Sequence, residues 1–101
     1  MHAILKDNLT QINAICAKHN VKTLFAFGSI CKHDFSQSSD IDLLVSFHQM
    51  DFGDYADNYF SIADEFESLF NRPEDLITEK SLSNPYFIAS INESKKFLYG
   101  Q

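Results

Sequence analysis

Two short pairs, Gly-Ser and Asp-x-Asp, set ten residues apart between apolar runs, constrain this chain more than any other feature. Residues 28–42 read GSICKHDFSQSSDID. An apolar run at 23–27 leads into the Gly-Ser pair, and a second at 43–47 follows the last aspartate. Both runs have the length and side chains of buried strands. Gly28 ends the first strand and permits a sharp turn or the close approach of a ligand. Ser29 offers a hydroxyl, and the residues after it are predicted to form one helical turn. Amides at such a turn can meet phosphate oxygens, and Lys32 stands near enough in sequence to add positive charge.

The second strand opens on acids. Alternate side chains of a strand share a face, so Asp40 and Asp42 point the same way with Cα atoms about 6.5–7 Å apart. Ile41, Leu43 and Val45 fill the other face. Taken alone, Asp40 reads most simply as the close of a Ser-rich loop. Asp42 sits inside an apolar strand, where an unpaired carboxylate is costly and a like-charged neighbour raises the cost. A bound cation resolves both problems. A Gly-Ser turn facing two carboxylates suits a triphosphate and its metal ions.

The remaining elements follow from periodicity. Leu5, Leu9, Ile12 and Cys16 predict an amphipathic helix over 2–18, stopped at His19-Asn20. After a loop at 48–54, Tyr55, Tyr59, Ile62, Phe66 and Leu69 predict a helix over 55–70, with Asp57, Asp64, Glu65 and Glu67 on solvated faces. Asn71-Arg72-Pro73 ends it. Residues 74–78, EDLIT, form a third strand. Asp75 starts this strand much as Asp40 starts the second. If the two strands are neighbours, about 4.8 Å apart, Asp75 completes a triad of carboxylates; alone, it reads equally well as an exposed acid at a strand start. Asn84 and Pro85 supply a helix cap and first turn. Ile88, Ile91 and Leu98 extend that helix to Gly100, with Lys95 and Lys96 near its negative end. The predicted class is α+β, a small mixed sheet of three or four strands flanked by helices. The order is α-β-(short α)-β-α-β-α, in a single domain over 1–101.

Composition narrows the function. The net charge of −6 argues against direct nucleic-acid binding along a phosphate backbone, which needs clustered Lys and Arg. It leaves nucleotides open, because metal ions neutralise a triphosphate locally. Two cysteines without CxxC spacing suggest a reducing cytoplasm. Four histidines without HExxH spacing give no zinc signature. No segment is apolar and long enough to span a membrane, and the start of the chain has no signal-peptide pattern. Ten Phe and four Tyr are a heavy load; a Phe-rich core is the simplest account, and rings left outside it would mark a partner surface.

Gly-Ser, ten residues, Asp-x-Asp and a later Asp in a short strand resemble the nucleotidyltransferase superfamily of DNA polymerase β. In so short a chain the pattern is similar to the minimal nucleotidyltransferase (MNT) branch. SSDIDLLV, RPEDLITEKSL and the terminal KKFLYG carry the resemblance over residues 21–100. It implies that Gly28, Ser29 and Lys32 contact the triphosphate. It implies that Asp40 and Asp42 bind two Mg²⁺ ions, and that Asp75 completes a metal site and assists deprotonation of the attacking hydroxyl. One departure is visible: where the branch commonly has Ala-Arg-Gly, this chain has Cys31-Lys32-His33, and Lys lacks the bidentate fork of Arg.

The resemblance also implies a partner. MNT proteins pair with HEPN toxins and act as antitoxins by adding AMP from ATP to a toxin tyrosine. The first expectation is therefore a protein adenylyltransferase working within a homo- or hetero-oligomer. A second is a non-catalytic antitoxin that neutralises its partner by contact. A third is a small-molecule nucleotidyltransferase completed by dimerisation.

Overall fold

The computed structural model describes residues 1–100. Helices α1 (Ala3–Asp7) and α2 (Leu9–Lys18) precede strand β1 (Val21–Phe27) and a 3-10 turn at Gly28–Cys31. Strand β2 (Ile41–Phe47), helix α3 (Phe52–Phe70) and strand β3 (Glu74–Thr78) follow. A second 3-10 turn (Glu79–Ser81), helix α4 (Pro85–Ser94) and strand β4 (Lys96–Gly100) complete the chain. The sheet order is β3-β2-β1-β4. β1 runs antiparallel to β2 and β4, while β2 and β3 are parallel. The mixed sheet flanked by helices is the architecture expected from the sequence, with four strands.

Alternation on β2 decides what each sheet face meets. Ile41, Leu43 and Val45 are fully buried with Leu5, Ile12, Cys16, Ile62 and Phe66, so α1, α2 and α3 cover that face. The other face carries Asp42, Leu44 and Ser46. Its core is thin: Phe27, Leu44 and Ile91 are buried together, with Phe25, Ile77 and Leu82 against them. One side of the sheet is thus sealed, and the side bearing Asp42 is partly open.

Three expectations need correction. The helix over 2–18 is two helices, broken at Asn8. The Asn8 side-chain amide donates to the Ile4 carbonyl at 2.8 Å, a local bond that competes with continued helix. Helix α3 begins at Phe52, inside the stretch expected to be a loop. The C-terminal helix stops at Ser94, and residues 96–100 form β4. Leu98 lies seven residues after Ile91 and so keeps helical period, yet pairing with β1 claims it for the sheet. Gly100 ends that strand where a Cβ would collide with the Lys22 carbonyl.

The stops read from Asn20 and Asn71 hold: both take positive φ, 59° and 53°. Asn84 caps α4 through its side-chain oxygen, which accepts from the Tyr86 and Phe87 amides. The aromatic load divides. Phe27, Phe47, Phe66 and Phe70 are buried, whereas Phe52, Phe60, Phe87 and Phe97 are exposed. Glu65 also departs from the solvated reading: it pairs with Lys18 at 2.7 Å and with His19, joining α3 to the end of α2. Among the described residues no helix is long and apolar enough to cross a membrane.

Candidate active site

The parallel register of β2 and β3 brings the acids to one edge of the open face. Asp42 pairs with Asp75, as Ile41 pairs with Glu74. Neighbouring strands lie about 4.8 Å apart, so the two carboxylates project side by side. Asp42 is half-buried and Asp75 exposed. Asp40 is exposed and lies one residue before β2 rather than within it. The Asp42 carboxyl is pushed above the usual Asp range, first by burial, then by the charge of Asp75, then by that of Asp40. Both neighbouring acids therefore act electrostatically on Asp42.

Gly28 faces this group from the end of β1, where Phe27 pairs with Asp42. Its φ is +75°, and a Cβ built there would collide with Asp42 Oδ2. The position excludes side chains twice, through backbone conformation and through the carboxylate in front of it. Ser29 is half-buried in the 3-10 turn, and its carbonyl accepts from the Lys32 amide at 3.0 Å. Lys32 is exposed just past that turn. It lines a pocket of about 330 Å³ with His2, Cys31, His33 and Lys96.

Three residues shape the site without having been singled out in the sequence. Ser94 Oγ, at the end of α4, accepts from the Gly28 amide at 3.3 Å and ties that helix to the turn. Arg72 Nη1 donates to the carbonyls of Ser36 and Ser39, each at 3.0 Å, and its guanidinium lies 4.7 Å from the Phe35 ring centroid. It thereby holds the Ser-rich loop that delivers Asp40. Lys96 pairs with Ala26 at the start of β4 and opposes the burial that raises the Cys31 thiol. Only for Arg72 was a sequence cue available: a cation between a helix stop and the strand bearing Asp75.

The donor chemistry fits a divalent cation. Carboxylate oxygens are hard ligands, and Mg²⁺ is commonly held by one or two carboxylates together with substrate phosphates. Among the described residues no three His, Cys, Asp or Glu side chains already form a closed metal cage, and such shared ligation does not need one. Among those residues the ion pairs of the chain involve Glu65, so Asp42 has no cationic side chain to offset its neighbours.

The chain is similar to known proteins over most of its length. "Putative protein adenylyltransferase MJ1379" of Methanocaldococcus jannaschii is 34% identical over 76 residues, covering 75% of each chain. A solved structure described as "Structure of putative minimal nucleotidyltransferase" superposes with a TM-score of 0.69 at 23% identity, covering 95% of both chains. A complex described as a tri-AMPylated Shewanella oneidensis HEPN toxin with its MNT antitoxin gives 0.67 at 19% identity, covering 96% of this chain and 73% of that one. These two structural matches share the fold. The family model "Polymerase beta, Nucleotidyltransferase" matches residues 10–101, and the chain belongs to that family: it is a nucleotidyltransferase.

Proposed function

We propose that this chain transfers AMP from ATP, with Mg²⁺, to a tyrosine hydroxyl of a HEPN-type toxin, and so acts as its antitoxin. The observation that carries the reading is the juxtaposition of Asp42 and Asp75 across β2 and β3, with Gly28 packed against Asp42. The protein-directed activity is supported by the name of the archaeal relative. The choice of partner is supported by the toxin–antitoxin complex of similar fold.

The residues divide the work. The Gly28-Ser29 turn receives the triphosphate, and Lys32 adds charge beside it. Asp40 and Asp42 would hold Mg²⁺, and Asp75 would complete the set. The bound metal supplies charge compensation for the triphosphate and acidifies the acceptor hydroxyl. The acceptor oxygen bonds to the α-phosphorus, the bond to the β-phosphate oxygen breaks, and pyrophosphate leaves. Asp75 takes the hydroxyl proton. Holding the reactants in line provides much of the rate.

Labelling tests the reading. ATP labelled at the α-phosphate, Mg²⁺ and the purified chain are added to host lysate, with Asp42→Asn as control. A labelled protein seen with wild type and absent with the variant supports transfer. No label, from a folded chain that still co-purifies with a partner, counts against it. That outcome favours neutralisation by contact, a second reading supported by the exposed rings of Phe52, Phe60, Tyr86 and Phe97.

A further inference from the structure

A groove of about 510 Å³ crosses β1, β2 and the turn after β3. Lys22, Lys80 and Lys95 line it, with Glu79 as the acid among its lining residues. The chain carries eight Lys and Arg in all and a net charge of −6, so three cations around one groove form a local reversal of sign. Two of the ammonium groups are braced on aromatic rings: Lys95 Nζ lies 4.7 Å from the Phe25 centroid and Lys80 Nζ 5.2 Å from that of Tyr55. Thr23 and Ser46, whose hydroxyls contact each other, form part of the floor.

The groove shares a sheet face with the acids. Ser46 lies four residues after Asp42 on β2, so the two have the same orientation and are about 13 Å apart. We propose that this groove docks an acidic segment of the protein substrate, at a distance from the hydroxyl that receives the nucleotide. The proposal rests on the reading of the site as a transferase acting on protein. Leu44, between Ser46 and Asp42 on that face, is buried with Ile91 of α4, so α4 stands between the groove and the acids and the docked segment lies apart from the nucleotide. A neutral nucleobase would leave the three ammonium groups without partners. The charge is complementary to several successive carboxylates.

The probe is a short fluorescein-labelled peptide with three successive glutamates, beside a matched peptide with glutamines. Binding to the full chain is read by anisotropy at low salt without nucleotide. The glutamate peptide is expected to bind about tenfold tighter, because three weak, exposed ion pairs act together. Lys80→Glu and Lys95→Glu should each weaken it about fivefold or more, while Lys6→Glu, the same charge change on α1, leaves it nearly unaltered. Equal binding of the two peptides, or equal loss with Lys6→Glu, would overturn the proposal. So would displacement of the glutamate peptide by ATP, which makes the groove a nucleotide subsite, or tighter groove binding by a single-stranded oligonucleotide. Peptide binding that passes these controls, in a chain that labels no protein with AMP, supports the docking surface and counts separately against the transfer reading.

Discussion

Replacing Gly28 by alanine probes the site's geometry through a single methyl group. The backbone there has φ +75°, a conformation that costs a non-glycine residue about 1–2 kcal/mol. At about 4–8 °C per kcal/mol for a domain of this size, the melting temperature should fall by roughly 5–15 °C. The methyl would also collide with Asp42 Oδ2. That atom is the far end of a side chain, so the carboxylate can swing away, and the collision adds to folding a second cost smaller than that of the backbone. Function should suffer more: displacing a catalytic group by about 1 Å can cost about 100-fold in rate. Paired measurement separates the two effects. Thermal unfolding is recorded for Gly28→Ala in the wild-type and Asp42→Ala backgrounds. Without the carboxylate, the backbone term remains and the steric term vanishes, so Gly28→Ala should cost less. Nucleotidyl transfer by Gly28→Ala alone should drop by about two orders of magnitude. Additive stability losses together with near-normal transfer would refute the placement of Asp42 against the turn.

Other perturbations give equally definite outcomes. Asp42→Asn should raise the melting temperature while abolishing transfer, since the folded chain holds that carboxyl above its ordinary value near 3.8. A raised folded value means that stability is present at low pH and lost as pH rises through it. The advantage of Asn over Asp should therefore be largest near neutrality and shrink as pH falls towards 4, as read by melting curves across pH. Arg72→Ala removes two hydrogen bonds to the Ser36–Ser39 loop and should destabilise by about 1 kcal/mol; a higher Mg²⁺ requirement for transfer would register the loosened delivery of Asp40. Iodoacetamide should modify Cys31 and spare fully buried Cys16, whose thiol is pushed up to about 12. Lys96→Ala should slow Cys31 alkylation, because Lys96 is the main group opposing the effect of burial there.

The parts of the structure fixed by local pattern were legible in the chain. EDLIT carries its own strand pattern, and Tyr59, Ile62, Phe66 and Leu69 announce α3 by period. The sequence links Asp75 to the acids of β2 only if the two strands are neighbours, and the register meets that condition by pairing Asp42 with Asp75. The parts fixed by tertiary register were not. Phe97-Leu98-Tyr99 fits helical spacing from Ile91, and its pairing with Leu24 and Phe25 depends on strands far away in sequence. With β4 unseen, Lys96 could not be set beside Cys31. Ser94 is an unremarkable helix-end serine until Gly28 arrives beneath it. Glu65 looked solvated because nothing in α3 itself reveals that Lys18 and His19 lie across from it.

The most direct test of the acid edge is calorimetric titration with a non-hydrolysable ATP analogue, with Mg²⁺ or with EDTA, on wild type, Asp42→Asn and Asp75→Asn. The expected result is tight binding by wild type with Mg²⁺, weakened about tenfold or more by EDTA or by Asp42→Asn, since Asp42 would hold the Mg²⁺ that offsets the charge of the triphosphate. Asp75→Asn should weaken the Mg²⁺-dependent part as well. Binding that is equally tight in EDTA, or untouched by both substitutions, would contradict the assignment of Asp42 and Asp75 to the nucleotide's metal.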